Sequence, residues 1–397
     1  MSAAEKKRKD KTRVRVEFSL PRFVLLPVCI LPALLTLAFY IFRVNKPAVH
    51  WVEANISAPV RDFFGMLSSL YPFSLMEVLC VAAIVWLFYY LIRTVMVTVR
   101  RRSKLLILSK RFLTISVVLL YIWGLFCWLW NIGYHTTSFA EIYDLTSSGI
   151  ATDELLAVTK LFAEKANEYA PLVARDEDGH FIGDRRRFVD ESIDVFDNIF
   201  TMFPDLSGKL YKPKSMLFSS LMSRAGYTGV YFAITGESNI NTKAPACYIP
   251  VTIAHELAHQ RGVFAEDEAN FVGIAACVAS DNTVYEYSGW LLGLSYLRGA
   301  LISVDSDAWT EIHANLSAYV LIDWQDNYEY WQSQKTVNTG IVFFDKILTA
   351  LTEFFSDTVD NVYDNYLVSQ NQELGIRSYG ACVDLLVTHF MKEIGYQ

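Results

Sequence analysis

The sequence predicts a mainly α chain, with transmembrane helices at its N-terminus followed by a mostly helical domain that contains a short strand region. Three observations carry this reading. Long uncharged apolar stretches fill much of the first 140 residues. The remainder places its apolar residues at helical spacing, apart from one β-branched and aromatic run. The charge is also divided unevenly: residues 1–132 hold 18 Lys/Arg against 6 Asp/Glu, and residues 133–397 hold 17 against 36, within a net charge of -7. A basic, apolar third and an acidic remainder describe two physical environments. The acidic part would repel phosphate, which argues against nucleic acid as a partner. With 397 residues, 53% of them hydrophobic, the chain accommodates a membrane region and one globular domain of ordinary size. The division falls at 140/141, with a basic tail and three spans before it.

The first span is residues 23–42, twenty residues without a charge between Arg22 and Arg43. That length crosses about 30 Å of hydrocarbon and exceeds a signal-peptide core. The second is residues 74–97, with Glu77 and Arg93 near its ends, where long side chains snorkel. Residues 112–140 are uncharged throughout and supply the third, with Trp123, Trp128, Trp130 and Tyr134 as an interfacial belt. Lys6, Lys7, Arg8 and Lys9 precede the first span, and Arg100, Arg101, Arg102 and Lys104 lie between the second and third. The positive-inside rule puts both clusters in the cytoplasm. The expectation is a multi-pass protein of the cell membrane, partnered by the lipid bilayer, with residues 141–397 extracytoplasmic.

Beyond Tyr134 the periodicity predicts helices over 153–169, 186–203, 214–224, 250–261, 266–280, 283–298, 307–322, 341–355 and 379–393. The run Gly229-Val230-Tyr231-Phe232-Ala233-Ile234 predicts a strand, with Gly236 and Asn239 as turn signals after it.

The chemistry concentrates in His255-Glu256-Leu257-Ala258-His259. Two histidines four apart on a helix project from one face and can ligate a single zinc ion. Glu256, beside the first of them, is placed to take a proton from the attacking water. An open catalytic site needs a third protein ligand. Gly262 ends the motif helix, and Glu266-Asp267-Glu268-Ala269-Asn270 opens the next. Glu266 is favoured as third ligand because Asn270 lies one turn further on the same face, where it could orient a ligand histidine. Glu268 stays open as the competitor. Apolar and small neighbours, Val251, Ile253, Ala254, Leu257 and Ala258, predict a buried helix, so its histidines need a reason to be there.

HELAHQRG followed by EDEAN resembles a family of bacterial membrane proteins of unknown function among the zincin metallopeptidases. The likeness extends to Thr235-Gly236-Glu237-Ser238-Asn239-Ile240-Asn241 upstream and Tyr287-Ser288-Gly289 downstream. Glu266-x-x-Ala269-Asn270 is similar to the E-x-x-A-D helix of glutamate zincins, with asparagine where aspartate is usual and a shorter ligand spacing. The pattern HExxHxxGxxH fits as far as Gly262, with Ala265 in the third histidine's place. The resemblance implies a zincin-like fold and peptidase chemistry and supplies no substrate; with the expected topology, the substrate is expected to be a peptide or protein of the cell envelope. The competing reading is a non-catalytic membrane receptor or assembly factor retaining a structural zinc site. A closed site would need four protein ligands, and no further His/Cys pair lies near the motif.

Other residues are less specific. Tyr285, Tyr287, His313, Tyr319 and Tyr379 are candidates to stabilise an oxyanion, though most tyrosines are structural. The strand over 229–234 could pair with an extended peptide. Asp323-Trp324-Gln325-Asp326-Asn327-Tyr328 is polar and aromatic; it could line a binding groove, but a solvated loop or helix face is the commoner use of such a stretch. Among six cysteines, none in a C-x-x-C pair, only Cys247 and Cys382 suggest a bridge.

Overall fold

The computed structural model describes residues 22–100, 103–146, 149–196, 198–335 and 379–395. The predicted helix over 341–355 lies outside the described residues. Helix α1 (Arg22–Phe42) leads through α2 (Lys46–Val52), a π-helical turn (Glu53–Ser57) and α3 (Ala58–Ser68) into α4 (Leu75–Arg100) and α5 (Lys104–Leu129). Two of these, α4 and α5, are long and apolar enough to cross a membrane, with mean hydropathies of 2.3 and 2.2. The apolar described part of α1, Pro27–Phe42, is shorter. Their outward surfaces are apolar, and α5 packs against both α1 and α4. Trp128 Nε1 donates to Leu35 O at 2.9 Å, and Tyr90 Oη to Arg111 O at 3.1 Å.

The third expected span is displaced. It starts at Lys104 instead of residue 112 and ends at Leu129 instead of 140. The charge-free stretch runs on past the helix because Asn131, Gly133 and Thr136 are polar or small without being charged. Trp130 leaves helical geometry, a 3-10 turn (Asn131–His135) follows, and Ser138 caps the short helix α6 (Phe139–Ile142) through a capping box with Glu141. Phe139 and Ala140 are buried in the core of the following domain.

That domain is helical around a small sheet. Helix α7 (Thr152–Tyr169) packs along α13 (Thr283–Val304), with α11 (Ile249–Gln260), α12 (Glu266–Val278) and the final helix (Tyr379–Ile394) completing the core. Phe162 meets Trp290 and Phe390 edge-on at its centre, and those two rings lie tilted to each other. Burying each such aromatic stabilises the fold by roughly 1.5–3 kcal/mol before entropy. Three predicted helices are interrupted. Residues 186–203 form α8 (Arg185–Glu191), a 3-10 turn and α9 (Ile199–Met202). Residues 214–224 begin as strand β1 (Lys214–Ser215) and only then form α10 (Ser219–Arg224). Residues 307–322 split into α14 (Ser306–Ala314) and α15 (Ala318–Gln334), where Ser317 Oγ accepts from Val320 N and starts a new helix.

The sheet has the order β1–β3–β2. Strand β2 (Gly229–Phe232) is the expected strand, shorter by two residues. It pairs antiparallel with β3 (Glu237–Ile240), Gly229 opposite Ile240 and Phe232 opposite Glu237. Strand β3 also runs parallel to β1, which leaves β2 as an edge. Sequence reading took Gly236 and Asn239 as turn signals. Gly236 does turn, at φ +65, but Asn239 lies in the central strand. Every cysteine is free, so the Cys247–Cys382 bridge is absent; both thiols are buried as small apolar groups.

Candidate metal centre

Helix α11 starts with Pro250 in its first turn, where a missing N–H costs nothing, and stops at Gly262. Gly262 takes φ +84, its N–H bonds His259 O at 3.1 Å, and Val263 N bonds Ala258 O at 3.1 Å. This turn returns the Val263 carbonyl onto the motif, where it lies 2.6 Å from His259 Nδ1. A carbonyl only accepts, so a proton sits on His259 Nδ1, and Nε2 is the nitrogen left to face a metal.

Helix α12 then delivers Glu266 from its first residue. Its Oε2 lies 3.3 Å from His255 Nε2 and its Oε1 lies 3.7 Å from His259 Nε2. The His255 and His259 rings stand 4.6 Å apart at 85°. One ligand atom from each of the three residues lies within 4.8 Å of the others. Atoms each about 2 Å from a tetrahedral ion are separated by about 3.3 Å, so the spacing suits zinc. Of the two acidic residues left open by the sequence, the structure brings Glu266 to the histidines. Glu268 points elsewhere: its Oε1 accepts from Ala140 N at 2.8 Å, tying α12 to α6. Burial pushes the Glu268 carboxyl up to about 7, against the backbone donors of Ala140 and Phe139.

The electrostatics of the cluster are those of a site short of positive charge. Burial raises the Glu256 carboxyl to about 8, helped by the Glu266 charge and opposed by His259. Burial disfavours the charged His259 ring, yet Glu266, Glu256 and the Val263 carbonyl together carry it up to about 9. Burial and the neighbouring His259 lower His255, although Glu266 and the Asn270 side chain act the other way. Glu266 is pulled well below the carboxylate range despite burial, because both histidines face it. Two polar atoms remain buried without a hydrogen-bond partner, Glu256 Oε2 and His255 Nδ1. A cation bound by the three ligands would satisfy the charge pattern.

Several residues that hold this arrangement were not legible as site residues. Gly229 allows β2 to lie against the carboxylate, since a Cβ there would stand 2.4 Å from Glu256 Oε1. Ser238 Oγ of β3 donates to Glu256 O at 2.8 Å and accepts from Gln260 Nε2 at 2.9 Å, fastening the sheet to α11. Trp130 meets His259 edge-on at 5.3 Å. Tyr231 lies 6.5 Å from the same ring and is held near Arg61; burial pushes its hydroxyl up to about 12. Gly273 lets α12 cross α11 closely, because a Cβ would come within 2.9 Å of His255 N. Backbone cannot swing aside as a side chain can. Gly273→Ala is therefore expected to destabilise the protein by about 1–3 kcal/mol and to weaken metal retention. An unchanged unfolding midpoint in detergent would show that the helices give way freely.

The remaining sequence candidates lie away from the cluster. Tyr285 donates to Phe188 O at 2.6 Å in the core, and Tyr287 donates to Asp323. Tyr319 sits under Arg175 and His313 against Trp309. The side chain of Tyr379 is outside the described residues. Asp323 is 1% exposed and salt-bridged to Arg175, so it lines no groove. A cavity of about 430 Å³ opens between Arg43, Lys46, His135 and Glu268, and none of the three clustered ligands lines it.

No curated protein and no solved structure matches the chain. A family model described as "Protein of unknown function (DUF3810)" matches residues 54–387, which include α3 to α5, the sheet and the whole His255–His259–Glu266 cluster. The chain therefore belongs to the DUF3810 family.

Proposed function

We propose that the chain is a membrane-anchored, zinc-dependent metallopeptidase of zincin-like design, held in the cell membrane with residues 141–397 on the extracytoplasmic side. The observation that carries this is the convergence of His255, His259 and Glu266 beside a Glu256 carboxylate with an unpartnered buried oxygen. Among the described residues the cluster offers three protein ligands, the number an open catalytic site uses; a closed structural site uses four. That favours an enzyme over a receptor or assembly factor with structural zinc.

When bound, zinc lowers the pKa of a water to about 7 and polarises a carbonyl. The chain's own residues would do the rest. Glu256 takes the proton of the attacking water and later gives it to the leaving amine, and its burial keeps that proton from escaping. The Val263 carbonyl fixes the His259 tautomer. Edge strand β2 could add an extended envelope polypeptide to the sheet, and Gly229 lets that strand lie directly against Glu256. The basic residues 6–15 and 100–104 support the orientation.

The test is metal content after purification without chelators. The wild-type chain should carry one zinc. Glu266→Ala should lose it, beyond the ~10–100-fold weakening that removal of an outer hydrogen-bond partner causes. Glu268→Ala should keep it while loosening α12 from α6. A wild-type chain without metal would end the enzymatic reading, and zinc lost only with Glu268 would overturn the ligand assignment.

A further inference from the structure

Helix α3 is inverted relative to a helix on a water-facing surface. Its buried positions are Arg61, Gly65 and Ser68, spaced along one face. They back onto the β2–β3 turn, where a Cβ on Gly236 would meet Arg61 O at 2.4 Å and one on Gly65 would meet the Tyr211 ring at 2.9 Å. The outward positions are Phe63, Phe64, Met66 and Leu67, followed by Leu70 and Phe73, with Leu70 73% exposed. No charged residue occurs between 63 and 74. A polar and glycine face turned inward beneath an aromatic face turned outward reverses the arrangement that water selects.

A second exposed apolar run stands beside it. Leu217 is 82% exposed and Leu221 66%, with Phe218 between them. The N–H groups of Leu217 and Phe218 donate to Glu77 at 3.0 and 2.8 Å, which holds this run against the first turn of α4. The Lys214 ammonium reaches Tyr71 O and joins the two runs. Both therefore surround the beginning of one span. They are level with the end of the other, because buried Arg61 donates to Leu129 O, the last residue of α5, at 2.9 Å. This continuity with the span ends names the occupant: the boundary between headgroups and acyl chains of the bilayer that α4 and α5 would cross.

The geometry points to residues 63–73 and 217–221 as a lipid-inserted rim that seats the catalytic domain on the membrane surface, so that its substrate is a polypeptide itself tethered to that surface. Trp130 makes the link to the site: it directly follows α5 and touches His259. The rim stands independently of the peptidase reading, and the substrate class rests on it.

The full chain in vesicles of phosphatidylethanolamine and phosphatidylglycerol tests both parts. Environment-sensitive fluorophores on Leu70→Cys and Leu217→Cys should be quenched by lipids carrying a doxyl group near the headgroup. A label on Leu172→Cys, an exposed leucine outside the rim, should stay in water. Rim labels reporting water would overturn the proposal. Labels shielded from water but not quenched by any doxyl lipid would do so too, by assigning the rim to a second copy. For the substrate, a fluorogenic peptide library with a palmitoyl chain is compared with the same library lacking it. The tethered form should turn over roughly tenfold faster or more. Leu217→Glu with Phe218→Glu should abolish that advantage while leaving zinc content and hydrolysis of the free library unchanged. Equal rates for both libraries would overturn the substrate class. Hydrolysis of neither, with the quenching pattern intact, would overturn the peptidase reading and leave the rim standing.

Discussion

Glu256→Gln is expected to keep one zinc per chain and to lower peptide hydrolysis by about 10²–10⁴-fold, the contribution of a positioned acid–base group. The amide has the shape of the carboxyl but cannot accept a proton. Folding should tolerate it, because the amide fills the same buried space as the carboxyl. Glu256 Oε2 makes no hydrogen bond whose loss would complicate the comparison. The measurement pairs zinc content with turnover of a fluorogenic peptide library. A variant with its metal and with wild-type turnover would show that Glu256 has no chemical role and would favour the scaffold reading.

The largest effect on stability is expected from Asp323→Ala, at about 3–5 kcal/mol, the cost of leaving a buried charge without its partner. Arg175 meets both Asp323 oxygens, at 3.1 and 2.9 Å, with side chains only 7% and 1% exposed. The Tyr287 hydroxyl donates to the same carboxylate, and the guanidinium lies over the Tyr287 and Tyr319 rings. Removing the acid strands the cation, whereas removing both charges as Arg175→Met with Asp323→Leu should recover part of the loss. Denaturant titration of the three proteins reads this directly. Tyr287→Phe offers a contrast. It deletes one donor and should cost about 1 kcal/mol without changing turnover. A fall in kcat with stability intact would restore Tyr287 to the active site.

The helix pair that brings His255, His259 and Glu266 together was legible in the sequence because its signals are local. Gly262 stops α11, three acidic residues open α12, and the spacing of His255, His259 and Glu266 is a property of helices. The sheet was only half legible. Strand β3 is polar by composition, yet all four of its residues are buried, because Glu237 and Ser238 have distant partners. Glu237 receives the N–H groups of Leu75 and Met76, and Ser238 holds Glu256 O. Such partners lie up to 162 residues away, and no periodicity reports them. The displaced third span has the same origin: absence of charge marks a stretch as apolar, while its end was set by Arg61 reaching Leu129 O across 68 residues. Tyr285 and Tyr287 lie in the core away from the cluster, and burial in the core and burial at a site look alike in sequence. Tyr231, which does approach His259, was read as part of a strand.

The exchange of carboxylates between α4 and the sheet bears on how this protein can be handled. Glu237 caps α4, and Glu77 of α4 in turn holds the backbone of the β1–α10 connection. A fragment beginning at residue 141 would remove the Leu75 and Met76 N–H donors of the Glu237 carboxylate, and would uncover His259 where Trp130 now covers it. Expression of residues 141–397 alone should therefore yield an unstable or metal-poor product, and helices α1–α5 belong in any preparation meant to preserve this arrangement.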